Sequence, residues 1–105
     1  MNYSVQEISN IVDGELKGPG QGEILHITID SRSLFQPGKS LFVAIRGERH
    51  DGHNYISDLV KRGVKAFLVE ELPDQKMHEN SLSFILVANS LRALQKLAAH
   101  HRISD

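Results

Sequence analysis

The sequence predicts a small α/β domain in which a mixed, partly parallel β-sheet is flanked by helices. Three observations lead to this prediction. Apolar segments of strand length alternate along the chain with amphipathic segments of helix length, an order typical of α/β proteins. Residues 41–70 have the pattern strand, helix, strand, which favours parallel pairing of the two strands. The 105 residues suit a single domain, because a chain of this size buries roughly two thirds of the surface that its unfolded form exposes.

The first predicted element is a helix that begins after Ser4. Ser4 and Glu7 have the spacing of a capping box, in which the serine hydroxyl and the glutamate carboxylate each accept a backbone N–H. Gly14 ends the run of apolar residues at helical spacing, which comprises Val5, Ile8, Ile11 and Val12. The glycine-rich segment 18–22 then predicts a turn before the first strand.

Two strands are predicted next, and they differ in pattern. Leu25, Ile27 and Ile29 alternate with polar residues, which is the period of a half-buried strand. Residues 41–45 are continuously apolar, which is typical of a strand at the centre of a parallel sheet.

The second half of the chain predicts a helix, two strands and a final helix. The first of these helices covers 51–62, because Asp51 is a favourable N-cap and Gly63 ends the apolar periodicity. Its apolar face comprises Tyr55, Ile56, Leu59 and Val60. Two buried strands are predicted in 64–70 and 84–88. The final helix carries an apolar stripe made of Leu91, Leu94, Leu97 and Ala98.

Composition and charge exclude several classes of function. The net charge of −1 shows no basic surface for nucleic acid, and the sequence has no cysteine for a disulfide, a thiolate nucleophile or a Cys-based zinc site. The N-terminal segment is polar and lacks the basic and apolar regions of a signal peptide. No apolar run approaches the roughly 20 residues that a membrane span needs. We therefore expect a cytoplasmic protein with no nucleic-acid or membrane partner.

The tripeptide Gly38-Lys39-Ser40 resembles the end of a phosphate-binding P-loop. A P-loop requires a further glycine upstream of Gly38 and a helix after the serine. The required position is occupied by Ser33, and the apolar strand segment 41–45 follows. We therefore interpret the tripeptide as part of a turn and expect no nucleotide hydrolysis there.

Functional side chains are concentrated after the first two predicted strands. Asp30, Ser31 and Arg32 close the first strand, and the polar loop 46–53 follows the second. Ligands of open α/β sheets lie outside the strand ends, so these two segments are expected to form one site. An arginine fork matches phosphate oxygens, and the neighbouring Asp30 can hold it in place. The candidate binding residues are Ser31, Arg32, Arg46, Gly47, Glu48, Arg49, His50, Asp51, Gly52 and His53.

Parts of this cluster also fit simpler roles. Asp30 and Arg32 have the spacing of an ion pair within a surface turn, and Asp51 is a favourable helix N-cap. His50 and His53 span a glycine-containing turn without an evident third ligand, so no metal site is predicted. No arrangement of these residues is specific enough to predict a catalytic group.

Several segments together resemble one protein family. The pattern consists of T-x-D-S-R at 28–32, L-F-V-A-I-R-G-E-R at 41–49, D-G-H-x-Y-I at 51–56 and G-V-K-A-F-L-V-E at 63–70. This string is similar to the N-terminal domain of the Mur ligases, ATP-dependent enzymes that extend the peptide of UDP-N-acetylmuramoyl precursors in cell-wall biogenesis. The resemblance covers nearly the whole chain. It is closest to the MurF type, which adds D-alanyl-D-alanine to the UDP-muramoyl tripeptide.

The resemblance implies that residues 1–105 form a substrate-binding domain that is not catalytic by itself. The central ATP-binding domain and the C-terminal domain would be absent from this chain, and the family's phosphate loop would follow soon after Arg102. The implied partners are a UDP-N-acetylmuramoyl-peptide and the missing ligase domains in cis. No cofactor is expected in this domain, whereas ATP and magnesium are expected for the full-length ligase. Ser31 and Arg32 would lie against the uridine and diphosphate, and loop 46–53 would complete the pocket.

The sequence also departs from the family pattern. The turn 33–40 is longer than the usual spacing, and Lys39 stands where an acidic residue is common. The longer turn is also similar to family members that are fused to an alanine racemase. The MurE type shares the D-S-R and D-G patterns and is an alternative. Two further hypotheses are a non-catalytic protein-interaction domain with the same fold and a small complete enzyme that acts on a nucleotide.

Overall fold

The computed structural model describes residues 2–73 and 82–104 and confirms the predicted α/β class. Its strands are β1 (Tyr3–Ser4), β2 (Glu15–Lys17), β3 (Glu23–Ile24), β4 (His26–Thr28), β5 (Ser40–Val43), β6 (Ala66–Val69) and β7 (Ser83–Leu86). Its helices are α1 (Val5–Ile11), α2 (Ile56–Lys61) and α3 (Ser90–Ser104), and short 3₁₀ turns cover Pro37–Lys39 and Gly52–Tyr55.

The main sheet has the strand order β2-β7-β6-β5-β4. Its four strands from β4 to β7 are parallel to one another, and β2 is antiparallel to β7 at the edge. The predicted parallel pair is β5 and β6, in which Leu41 lies opposite Ala66 and Val43 opposite Leu68. A separate antiparallel pair joins β1 to β3. The sheet is therefore mixed and mostly parallel.

The sheet separates two apolar cores, because successive residues of a strand point to opposite faces. Leu41 and Val43 of β5 pack on the side of α1 and α3, together with Ala93 and Leu97. Phe42 faces α2 on the other side, with further apolar residues of the second core: Ile56, Leu59, Phe67 and Phe84. The rings of Phe67 and Phe84 are stacked with centroids 5.4 Å apart. The loop after β5 therefore extends from a fully buried strand, whereas the turn after β4 extends from a half-buried one.

The predicted capping box of α1 is confirmed. The Glu7 backbone N–H donates to Ser4 Oγ at 3.0 Å, and the Ser4 backbone N–H donates to Glu7 Oε1 at 2.9 Å. These contacts depend only on residues three apart in sequence, so the local pattern was sufficient to predict them.

Three apolar residues that were expected to face the core are exposed. Ile29 is 56% exposed because β4 ends at Thr28. Tyr55 is 41% exposed because it lies in a 3₁₀ turn that precedes α2, and this turn has a different period. Leu91 is 49% exposed because the buried face of α3 is set by Ala93, which lies roughly 200° further around the helix.

No helix within residues 2–73 and 82–104 combines the length and the apolarity that crossing a membrane requires.

Candidate functional site

A cleft opens at the carboxyl ends of the parallel strands β4 and β5. Its volume is about 540 Å³. One wall is the turn after β4, and the other is the loop after β5 together with the 3₁₀ turn that follows. The lining residues are Ile29, Asp30, Ser31, Arg32, Ile45, His50, Gly52 and Tyr55. The two segments that the sequence analysis placed together do lie together.

The first wall is a turn organised by Asp30. Its carboxylate accepts hydrogen bonds from the Arg32 backbone N–H at 2.9 Å, from Arg32 Nε at 3.2 Å and from Arg32 Nη2 at 3.3 Å. The hydrogen bonds from Arg32 hold the pKa of Asp30 below its usual value, and they raise the pKa of Arg32. The bonds to Asp30 fix the orientation of the Arg32 guanidinium. The Arg32 side chain is nevertheless 88% exposed, so the guanidinium stays open to solvent.

The second wall is a tight hairpin in loop 46–53. The Gly47 N–H donates to the His50 carbonyl at 2.7 Å, and the Gly52 N–H donates to the Ile45 carbonyl at 2.9 Å. Arg46 and Asp51 form an antiparallel bridge between these two bonds. The hairpin leaves His50 and Gly52 on the cleft.

A closed polar ring fixes the base of this hairpin. Arg46 Nε donates to Asp51 Oδ2 at 3.2 Å, and Asp51 Oδ1 lies 2.6 Å from His53 Nδ1. His53 Nε2 accepts the Glu70 backbone N–H at 2.9 Å, and Glu70 Oε1 lies 4.0 Å from Arg46 Nη1. Because Nε2 is an acceptor, the ring proton of His53 is on Nδ1 and is donated to Asp51. The His53 side chain is only 8% exposed, and both ring nitrogens have partners, so it is not placed to act as a general base.

Arg46 is surrounded by carboxylates of its own domain. Besides Asp51 and Glu70, its Nη2 lies 3.0 Å from Glu71 Oε1. The hydrogen bond with Asp51 is the main cause that raises the pKa of Arg46, and the hydrogen bond with Glu71 is the second. Its guanidinium is therefore directed to the loop and to the end of β6, and the cleft is lined by Arg32 instead.

Glu70 extends this ring to the last helix. Its Oε2 accepts the Ser90 backbone N–H at 2.7 Å, at the N-terminus of α3. A carboxylate at this position satisfies a helix N–H group that has no partner within the helix, and it interacts favourably with the helix dipole. The loop after β5, the end of β6 and α3 are thus joined through one side chain.

We expect acid to loosen loop 46–53 through Asp51. Burial raises the pKa of this carboxyl, but hydrogen bonds from His53 and Arg46 outweigh burial and hold the pKa below its usual value. Such a group stabilises the fold above the unfolded-state pKa of about 4, and this contribution is lost as the pH falls through the lower folded-state pKa.

The measurement compares the free energy of unfolding of the wild type and Asp51→Asn, by urea denaturation, at several pH values from about 6 to about 2. The free energy of unfolding of the wild type should exceed that of Asp51→Asn by a constant amount at the upper end of this pH range. The difference should shrink as the pH falls. An advantage that is the same at every pH would contradict the role assigned to Asp51.

The structure sorts the candidate residues into three groups. Those that line the cleft are Ser31, Arg32, His50 and Gly52. Those that form the polar ring behind it are Arg46, Asp51 and His53. The exposed tip of the hairpin comprises Gly47, Glu48 and Arg49, which do not line the cleft.

Sequence reasoning missed several residues of the site. The apolar part of the cleft comes from Ile29, Ile45 and Tyr55. Glu70 and Glu71 pair with Arg46, and Arg62 donates to the Ser31 carbonyl. The pair Glu70-Glu71 at the carboxyl end of a predicted strand was the available signal, because ligands of open α/β sheets lie beyond the carboxyl ends of the strands.

The segment 37–40 is confirmed as a turn that leads into a strand. Pro37–Lys39 is a 3₁₀ turn, and Ser40 begins β5. Lys39 Nζ lies 3.2 Å from Glu23 Oε1, in an exposed ion pair. No helix follows the tripeptide, so its resemblance to a P-loop is coincidental.

Comparison with known proteins places the chain in one family. Residues 23–102 match the model described as "Mur ligase family, catalytic domain". The chain is 34% identical over 91 residues to the UDP-N-acetylmuramoyl-L-alanyl-D-glutamate--2,6-diaminopimelate ligase of Phocaeicola vulgatus, covering 87% of this chain and 18% of that protein. It is 33% identical over 97 residues to the UDP-N-acetylmuramoyl-tripeptide--D-alanyl-D-alanine ligase of Bacillus subtilis, covering 90% of this chain and 20% of that protein.

A solved structure agrees with these sequence matches. A crystal structure of MurF from Acinetobacter baumannii has a TM-score of 0.84 and 27% sequence identity, and the match covers 99% of this chain and 22% of that chain. The chain thus spans about a fifth of the length of these relatives. The match to the family model over most of its length shows that this chain belongs to the Mur ligase family.

Proposed function

We propose that this chain is the domain of a MurF-type ligase that binds the UDP-N-acetylmuramoyl end of a peptidoglycan precursor. The observation that carries the proposal is the cleft between the D-S-R turn and loop 46–53, which combines an oriented, exposed arginine with an apolar wall. Arginine forks bind phosphate oxygens in a bidentate manner, so Arg32 suits the diphosphate. The exposed side chains of Ile29 and Tyr55 suit the flat face of a uracil ring.

In this proposal the domain anchors the substrate and does not catalyse ligation by itself. Binding of a remote part of a substrate supplies the orientation that another site uses for chemistry. ATP and magnesium are assigned to parts of the ligase outside this chain. Within the described residues, the polar ring around His53 supports a structural rather than a catalytic role for that histidine.

The MurF type is supported mainly by structural similarity, because the sequence matches to the two types cover nearly equal shares of this chain. The Acinetobacter MurF structure matches 99% of this chain, and the Bacillus D-alanyl-D-alanine ligase matches 90% of it. The MurE type is the second candidate, because the Phocaeicola diaminopimelate ligase is 34% identical. A full-length protein containing this chain, assayed with D-alanyl-D-alanine and with diaminopimelate as the acceptor substrate, decides between the two.

An NMR titration of the labelled domain with UDP-N-acetylmuramoyl tripeptide tests the binding role, with uridine monophosphate for comparison. Saturable shifts are expected in the two walls, at residues 29–32 and 45–55. Arg32→Ala should weaken binding about fivefold or more, because a charge-assisted hydrogen bond is lost.

Arg92→Ala is the matched control, because Arg92 lies on α3 and does not line the cleft. It should leave the affinity unchanged. A folded wild-type domain without shifts at millimolar ligand would contradict the proposal and would favour the interaction-domain hypothesis.

A further inference from the structure

We propose that Arg62 is a positioning residue for the cleft, which holds the Ser31 carbonyl and thereby the turn that presents Arg32. This inference rests on the proposed binding of a nucleoside diphosphate. Arg62 Nη1 donates to the Ser31 carbonyl oxygen at 2.7 Å across 31 residues of sequence. The bond is short and its donor carries a charge, and it lies on an exposed part of the surface.

Arg62 is well placed to act as a fixed support. It directly follows α2, and its backbone N–H donates to the carbonyls of Asp58 and Leu59 at 3.1 Å each. The helix is anchored in the core by the fully buried side chain of Leu59. The guanidinium is also held on the helix side, because Nη1 lies 3.6 Å from Asp58 Oδ2.

The turn itself has mostly local support. At its start the turn is continuous with β4, where Thr28 pairs with Phe42 of β5. Several further hydrogen bonds join residues 28–33 to one another: Asp30 N–H to Thr28 Oγ1, Thr28 Oγ1 to the Asp30 carbonyl, Arg32 N–H and the Arg32 guanidinium to the Asp30 carboxylate, and Ser33 N–H to the Asp30 carbonyl. These bonds determine the shape of the turn. The pairing of β4 with β5 holds the start of the turn, and the bond from Arg62 links its middle directly to the end of α2, the helix that Tyr55 precedes.

The functional consequence is preorganisation. A ligand that binds a turn already held in place does not have to order it, and this saving appears as affinity. Loss of the Arg62 bond should therefore weaken ligand binding while the two apolar cores remain intact. If Arg62 had only a structural role, its replacement would lower the melting temperature without selectively weakening ligand binding.

The experiment measures UDP affinity and melting temperature for the wild type, Arg62→Met, Arg62→Lys and Lys61→Met. Lys61→Met is the matched control, because it removes the same charge from the adjacent exposed position of α2 without touching Ser31. Arg62→Met should weaken UDP binding about three- to fivefold, as expected for the loss of one hydrogen bond that is exposed to solvent. Arg62→Lys should recover at least half of the loss, since its ammonium can still donate to the carbonyl. Equal affinities for Arg62→Met and Lys61→Met would overturn the proposal.

A double-mutant cycle separates positioning from direct contact with the ligand. If Arg62 acts through the turn, Arg62→Met should change affinity by less than about twofold when Arg32 is already alanine, because both changes remove the same interaction. If Arg62 contacts UDP itself, its full effect should persist in that background, and the positioning role would be wrong.

A ligand-independent measurement keeps this inference distinct from the proposed function. Amide hydrogen exchange of Arg32 and Ser33 should be faster in Arg62→Met than in Lys61→Met, since the turn loses its external support. A wild type that does not bind UDP would overturn the proposed function, and the exchange rates would still decide whether Arg62 holds the turn. Equal exchange rates in the two variants would overturn the positioning role.

Discussion

Replacement of Gly52 by alanine should displace loop 46–53 and weaken ligand binding more than any other single change at the cleft. A Cβ atom at residue 52 would lie 2.9 Å from Ala44 Cα and 2.9 Å from Ile45 N. Both neighbours are backbone atoms directly after β5, so they cannot move aside as a flexible side chain could. The loop has to shift, which breaks the bond from the Gly52 N–H to the Ile45 carbonyl.

Gly52→Ala should destabilise the binding-competent conformation of the loop by about 1–3 kcal/mol, the usual range for overpacking. If all of this free energy is lost from binding, the affinity for UDP falls roughly 5- to 150-fold. Titration calorimetry with UDP measures the affinity, and hydrogen exchange at Gly47 reports on the hairpin. Gly38→Ala is the matched control, because no atom lies within 4 Å of a Cβ placed there. Equal binding by the two variants would show that the loop does not form the wall of the site.

Replacement of Phe67 by alanine should give the largest loss of global stability. Phe67 is fully buried in β6, where its ring lies 6.4 Å from Phe42 and 5.4 Å from Phe84, measured between centroids. Truncation removes the centre of this row of three rings and leaves a cavity between the sheet and α2. A buried phenylalanine replaced by alanine costs about 3–5 kcal/mol. That is a large part of the 5–15 kcal/mol or so that stabilises a typical domain.

Urea denaturation of Phe67→Ala followed by circular dichroism measures this loss. Phe35→Ala is the matched control, because Phe35 is 65% exposed and its ring lies against that of His26 in the edge strand β4, with centroids 5.0 Å apart. The control should lose less than about 1 kcal/mol. A similar loss for both variants would mean that the row of phenylalanines is not the main core of that face.

The local features of the fold were predictable from the sequence. The capping box of α1 and the Asp51 cap involve residues two or three apart, and both are present. The continuous apolar run at 41–45 indicated a central strand, because a strand covered on both faces needs apolar residues at successive positions. The short strands β1, β2 and β3 were not predicted, since two or three residues are too few to show a period.

The candidate site was partly predictable for the same reason. Asp30 and Arg32 interact within one turn, so their pairing follows from sequence alone. Arg46 was predicted to bind ligand, and this stays a prediction; the structure shows that its guanidinium pairs with carboxylates of the domain, which the sequence did not indicate. Its partner Glu70 is 24 positions further along the chain and becomes a neighbour only because β5 and β6 pair in parallel.

Local chemistry thus accounts for the helix caps, the D-S-R turn and the class of the fold. Long-range packing decides which charges are available to a ligand. Ile29 and Tyr55 have core-like patterns in sequence and form the apolar wall of the cleft, because β4 and the 3₁₀ turn end where they do. Arg62 looks like an ordinary helix-end arginine until α2 is packed beside the turn. Such roles depend on which strands and helices are neighbours, and neighbours are determined by burial of the whole chain rather than by any single segment.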